Sequence, residues 1–219
     1  MTVSHAPDIL ASLGLDHLIP AAPFVRDTQG RFADPLSSRV VFAPAAALAG
    51  LHHVIEHERA GAWAATMKTC GLACGLESAK NLDAQLARAG KPALAALPLE
   101  ACLALLERLF AVQGWGRLGL ELAYADQGVL IAHLEKSPFV ETLPEAEHFT
   151  DAMIAAVLRG FFEYLTGQTL DAEEIGCARR GAARCSFVIT APEKLATVAG
   201  RIGHDDADTI IARLVGAPR

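Results

Sequence analysis

Two stretches of alternating apolar residues, each folded about a glycine-bearing turn, interrupt a chain that otherwise reads as helix. In the first, Leu118, Leu120, Leu122 and Tyr124 alternate with other residues, 125–128 (AlaAspGlnGly) turns the chain, and Val129–Glu135 returns. In the second, 169–178 and 183–190 flank a turn at 179–182. Between the hairpins the spacing predicts a helix over 145–166, with Phe149, Met153, Val157, Gly160, Phe161 and Tyr164 on its apolar face and Gly167 ending it. Upstream, Leu48, Leu51 and Ile55 recur at helical spacing, and Gly61 breaks the run. A second helix follows over 63–89, and a third begins at Pro98 and stops at Gly114. Residues 1–35, broken by Pro7, Pro20 and Pro23, read as an N-terminal arm, 39–42 as a short strand, and 196–219 as a helical extension. The order helices, hairpin, helix, hairpin predicts an α+β fold over 36–195, with helices packed on an antiparallel sheet in two layers.

At 52% hydrophobic and 20% charged, 219 residues supply a sizeable core for one domain. A net charge of −6 without a basic stripe argues against nucleic acid as a direct partner. The longest apolar run, 40–51, is too short to span a bilayer and contains Pro44, so membrane insertion is not expected. Five cysteines, an odd number, behind an N-terminus without secretory features lead us to expect reduced thiols in the cytoplasm. There is no phosphate loop, no GxGxxG after a strand and no GxSxG, which leans against an enzyme.

The cysteine hairpin is the richest segment chemically. Cys177 and Cys185 are eight residues apart about one turn, an even spacing that keeps both on one face of a regular hairpin. Thiolates are soft ligands suited to zinc, and a tetrahedral site needs two further groups. Two reduced cysteines packed as small hydrophobes satisfy the same pattern. By strand parity Glu174 falls on the opposite face from Cys177, unless a bulge at Gly176 re-aims it.

Elsewhere, Cys70 and Cys74 sit one helical turn apart beside Gly71 and Gly75, which suits a close helix contact or a pocket wall better than a disulfide. Trp115 at a helix-to-strand turn reads either as a pocket wall that stacks on a ligand or as a lid over the core. His53-Val-Ile-Glu56-His57 formally fits a metalloprotease pattern, and equally fits the solvated side of an amphipathic helix.

Glu174-x-x-Cys177, a glycine-containing turn and Cys185-x-Phe187 resemble the end of the 4-vinyl-reductase-like domain. That domain occurs in bacteriochlorophyll biosynthesis proteins and predicted hydrocarbon-binding proteins, and is similar to the sensor domains of aromatic-responsive activators. The resemblance extends upstream through Gly71 and Gly75, Gly114-Trp115-Gly116, Ser137-Pro138, Gly160 and Gly167, over about 40–190. It implies the fold shared by nitric-oxide-signalling and Golgi-transport ligand-binding proteins, and a homodimer. In the sensor relatives a structural zinc is held by a Cys of the long helix and by Glu, Cys and Cys of the hairpin. Glu174, Cys177 and Cys185 match the last three, and Asp151 stands where the first Cys would be, with His148 one turn away. Some sensors carry a Trp where this chain has Leu134.

The resemblance therefore implies a non-enzymatic binding or sensing module for an apolar small molecule, which would sit between the Cys70–Gly75 region and Trp115, close to Leu134. Any signal is expected to pass to a separate protein partner. Two other readings remain open at this level: an assembly factor of a multi-protein complex, and an accessory protein in tetrapyrrole (bacteriochlorophyll) vinyl reduction.

Overall fold

A computed structural model describes residues 6–20, 24–143 and 149–216 of the chain. In order, these form helix α1 (Ala6–Ser12), a meander of the two-residue strands β1 (Val25–Arg26), β2 (Phe32–Ala33) and β3 (Arg39–Val40), and helices α2 (Ala45–Glu58), α3 (Ala62–Arg88) and α4 (Leu99–Gln113). The first main hairpin, β4 (Arg117–Glu121) and β5 (Val129–Glu135), leads through α5 (Pro138–Thr142) to α6 (Ala152–Thr166). The second, β6 (Asp171–Gly176) and β7 (Cys185–Thr190), is followed by α7 (Pro192–Ala196) and α8 (Ala207–Val215).

The hairpins join into one antiparallel sheet in the order β4-β5-β7-β6. Its register pairs Leu118 with Leu134, Ala132 with Phe187, and Ala172 with Ile189, which puts all of these on one face against the helices. The α+β expectation therefore holds, with one addition. Residues 129–134 (ValLeuIleAlaHisLeu) are apolar on both parities except at His133, as in a strand covered on both sides. Val129, Ile131, Ile175 and Val188 pack beneath Leu195, Val198, Ile210 and Leu214. The C-terminal helices thus form a third layer where two were expected. At the other end, Leu10, Leu15 and Ile19, within the stretch read as an arm, are fully buried.

The helical layer is held by one unusually close crossing. A Cβ on Gly71 would overlap the carbonyl of Met153, and one on Gly75 the carbonyl of Val157. From the other side, a Cβ on Gly160 would stand 2.5 Å from Leu72 O and 2.9 Å from Leu76 N. The backbones of α3 and α6 therefore touch, as only glycine permits.

The helix expected over 145–166 begins later. Residues 144–148, His148 among them, lie outside the described residues, and Ala152 is the first helical position. Phe149, Thr150 and Asp151 stay non-helical because the Asp151 N–H is used by the sheet: it donates to Glu174 Oε2 at 2.8 Å.

The crossing generates a stability prediction. Gly75→Ala forces the α3 and α6 backbones apart and is expected to cost at least about 2 kcal/mol, lowering Tm by about 5 °C or more in a chain of this length. Gly50→Ala in α2, where a Cβ would meet nothing within 4 Å, should be neutral or slightly stabilising. Thermal unfolding of the two variants checks the contrast, and equal effects would contradict the backbone contact.

Candidate functional site

The pairing of β6 with β7 contains the irregularity on which the acid–thiol cluster depends. Glu174 pairs with Phe187, but the next pair is Gly176 with Ser186, so Ile175 is an extra residue. This bulge shifts side-chain parity by one. Glu174, Cys177 and Cys185 consequently face the same side, while Ile175 is released to the outer core. All three are buried, and their ligand atoms lie within 4.8 Å of one another.

Asp151 joins them from the start of α6. It is completely buried, and one carboxylate oxygen, Oδ1, accepts from Ser137 Oγ at 2.5 Å. Ser137 also caps α5, accepting from the Phe139 and Val140 N–H groups. Thr150 Oγ1 lies 3.6 Å from Cys177 Sγ, and the Ala178 N–H donates to Cys185 Sγ at 3.4 Å. Two buried oxygens, Asp151 Oδ2 and Glu174 Oε1, have no well-formed hydrogen bond among the described residues. Each such omission costs roughly 1–3 kcal/mol.

The titration behaviour follows from confinement. Burial raises the Asp151 carboxyl to about 6, even though the Ser137 hydroxyl donates to it. Burial, then the charges of Asp151 and Cys177, push Glu174 well above the carboxylate range. The hydrogen bond from Cys185 favours the Cys177 thiolate, and the same bond with burial drives the Cys185 thiol upward. Four acids facing one dry point cannot all ionise by themselves. Glu174, Cys177 and Cys185 bring two sulfurs and one carboxylate within 4.8 Å of one another, donors of the kind a soft cation takes, and Asp151 borders this group of three without belonging to it.

Above this cluster along α6 lies a cavity of about 500 Å³ between α3, α4, α6 and the β1–β3 meander. Leu106, Leu109, Phe110, Val157 and Phe161 form its apolar base. Phe24 and Phe42, whose rings meet edge to face at 4.6 Å, stand on the meander side. Among the residues expected at a ligand, Cys74 and Trp115 line this space, and Trp115 stacks on Phe139 with ring centroids 6.1 Å apart. Cys70 is exposed one turn from Cys74, Gly71 is spent on the α6 contact, and Leu134 pairs with Cys185 in the sheet.

Sequence reasoning missed the meander's contribution. Asp34 Oδ1 accepts from the Leu36 and Ser38 N–H groups, and Oδ2 accepts from Gln113 Nε2 at 2.7 Å, tying the roof to α4 across the cavity. The 34–38 stretch (AspProLeuSerSer) is a readable turn signal, but nothing local announces its partner 79 residues away. The His53/Glu56/His57 pattern has another use: Glu56 accepts from the Gly61 and Trp63 N–H groups at the start of α3.

On the opposite face of the sheet, His133 is held between Ser186 Oγ on Nδ1 and Glu121 Oε1 on Nε2, both at 3.0 Å. The ring borders a polar cleft of about 780 Å³ with Arg184, Asp208 and Tyr124. Burial, aided by Arg184, lowers its pKa below 6.5, opposed by Glu121.

Residues 130–191 match the V-4-R (vinyl-4-reductase) domain, so the 4-vinyl-reductase-like resemblance holds over the β5–β7 region. No curated protein matches the chain. The fold is similar to that of the phenol-responsive sensory domain of the transcription activator PoxR, in a structure with phenol, at 19% identity and a TM-score of 0.64, covering 91% of this chain and 100% of that one. A weaker likeness is to a vinyl-4-reductase family protein from Methanocaldococcus jannaschii (16% identity, TM-score 0.46, 71% of this chain and 85% of that one). A trafficking protein particle complex subunit 3 from Naegleria fowleri, covalently bound to palmitic acid, is 12% identical, with a TM-score of 0.46 over 67% of this chain and 93% of that one. Among the described residues no helix is long and apolar enough to cross a membrane.

A histidine whose folded pKa is depressed resists protonation in the native state, so its contribution to stability is lost as pH falls below its unfolded value. Wild-type protein is therefore expected to lose more stability than His133→Gln on going from pH 7.5 to 5.5. Denaturant titrations at the two pH values measure this difference. An identical pH dependence in the two proteins would contradict the assignment of a neutral His133.

Proposed function

We propose, with the vinyl-4-reductase-type domain of residues 130–191 as premise, that the chain is a non-enzymatic binding and sensing module whose apolar small-molecule ligand occupies the cavity between α3, α4 and α6. The observation that carries this reading is the cavity itself. About 500 Å³ is the size of a small-ligand site, and it is walled chiefly by aliphatic and aromatic side chains. The phenol-responsive sensory domain with which the chain shares its fold supports a sensing role. Transfer of hydrocarbon from water to such a wall supplies the driving force, at roughly 25 cal/mol per Å² buried.

In the same reading, Asp151, Glu174, Cys177 and Cys185 hold a structural zinc ion. A bound cation supplies the positive charge that lets all four groups ionise together. The residues' own part is mechanical: they pin the β6–β7 hairpin to the start of α6, the helix whose next turns carry Val157 and Phe161 into the cavity. Oxygen at Asp151 in place of a third sulfur makes the site harder and weaker than an all-thiolate one.

A second copy of the chain is the partner that the surface supports. Helix α2 buries none of its residues, and Leu51 and Val54 on it are more than half exposed, as is Phe42 nearby in sequence. Exposed apolar faces of this kind mark association surfaces, and a homodimer covering α2 would also leave the signal readable by a further protein.

Calorimetry with naphthalene tests the cavity. Saturable one-to-one binding is expected, and Ala73→Phe, at an exposed position on the rim, should weaken it at least about tenfold, or 1.4 kcal/mol, without loss of folding. Binding unaffected by Ala73→Phe would place the ligand elsewhere.

Zinc titration of chelator-treated protein tests the cluster. Because Cys185 must lose its proton to bind, affinity is expected to fall at least about tenfold for each unit of decreasing pH. The fall should steepen below about 6, where Asp151 takes up a proton. Asp151→Cys should bind more tightly. Protein whose metal content and stability ignore chelators would contradict the zinc assignment.

A further inference from the structure

The charge of the cavity wall goes beyond its size and narrows the class of ligand; the inference rests on the cavity being the binding site. Among the described residues, the charged groups lining it are Asp34 and Glu77, and no Lys, Arg or His lines it. Among the described residues, too, neither carboxylate is in an ion pair.

The two acids share one edge of the space. Asp34 is 6% exposed and is fixed by three hydrogen bonds, from Leu36 N, Ser38 N and Gln113 Nε2. Asn81 Nδ2 donates to Ser38 Oγ at 2.7 Å and to Glu77 Oε1 at 3.3 Å. A chain of neighbours, Asp34–Ser38–Asn81–Glu77, therefore links the meander to α3 along that edge. The rest of the lining includes hydrocarbon and aryl side chains, among them Leu109, Phe110, Trp115 and Phe161. Oriented donors already serve Asp34, so the carboxylate is preorganised in place and does not need the ligand to hold it.

An anionic head group entering this space meets like charge in a setting less polar than water, where Coulomb terms are several times larger than in bulk solvent. It meets no basic side chain in return. A cationic head group gains at the same edge, and its loss of hydration is offset by two carboxylates.

We propose that the ligand is a cationic amphiphile: a compact aryl or alkyl body seated against Trp115, Phe110 and Phe161, with an ammonium group at the Asp34–Glu77 edge. Hydrocarbons that end in a carboxylate, fatty acids included, are selected against. The discrimination comes chiefly from the repulsive arm, since a purely apolar wall would accept either head group.

Three probes with one body separate the possibilities at pH 7: naphthalene, 2-naphthylmethylamine and 2-naphthoic acid, each measured by calorimetry on the full chain. The expected order of affinity is amine, then naphthalene, then acid, with amine and acid differing at least about thirtyfold. Glu77→Gln, at an exposed helical position, should reduce the amine-to-acid ratio at least threefold, and naphthalene serves as the uncharged reference in each protein. Competition between amine and naphthalene should show a single shared site. Acid binding as tightly as amine overturns the inference while leaving the cavity reading intact, and so does a ratio unmoved by Glu77→Gln. Failure of all three probes to bind overturns the cavity reading and this inference with it.

Discussion

The contact between the backbones of α3 and α6 is the constraint on which the rest of this molecule depends. Gly71 and Gly75 on one helix and Gly160 on the other bring main chain against main chain, a separation that any side chain would prevent. The cavity lies to one side of this crossing, toward α4 and the meander, and both helices contribute to its wall. Helix α6 also fixes the second feature, because the residue that precedes it, Asp151, completes the buried cluster. One helix thus runs from the acid–thiol group at its N-terminus to the cavity wall at Val157 and Phe161.

The bulge at Ile175 plays the corresponding part in the sheet. Without the extra residue Glu174 and Cys177 would fall on opposite faces of β6; with it, both point inward and the carboxylate lies beside two thiols. The cost is severe: four ionisable groups share a dry pocket, two oxygens lack well-formed hydrogen bonds and the carboxyl pKa values climb. A fold that needed only apolar packing here could place hydrocarbon at all four positions with less penalty. Their presence together is what the zinc proposal rests on.

Much of this was legible in the residues. Alternation at Leu118–Leu120–Leu122 and the glycine-bearing turns located both hairpins, and Gly114 and Gly167 located two helix ends, because these features are local and period 2 differs plainly from period 3.6. The cluster was legible too, with parity alone indicating that Glu174 needed a bulge at Gly176. Three things were hidden, each for a reason of distance. Asp151 is drawn out of the helix by a hydrogen bond to a strand 23 residues later. A close helix contact at Gly71 was foreseen, but its partner was not, because the Met153 carbonyl lies far along the chain. The meander that roofs the cavity consists of two-residue strands held by Phe24–Phe42 and Asp34–Gln113 contacts, which carry no periodicity of their own. The third layer was obscured for a different reason, since Val129, Ile131 and Val188 read simply as hydrophobic strand residues until α8 is seen to cover them.

The account stands on one claim above the others, that the space beside the α3–α6 crossing admits an apolar body. A crystal structure of the full chain grown with naphthalene tests it most directly. Electron density for the ring against Trp115, Phe110 and Phe161, with the α3–α6 crossing unchanged, is the result predicted. Density confined to the polar cleft beside His133, or side chains of the meander collapsed into the space beside α4, would contradict it.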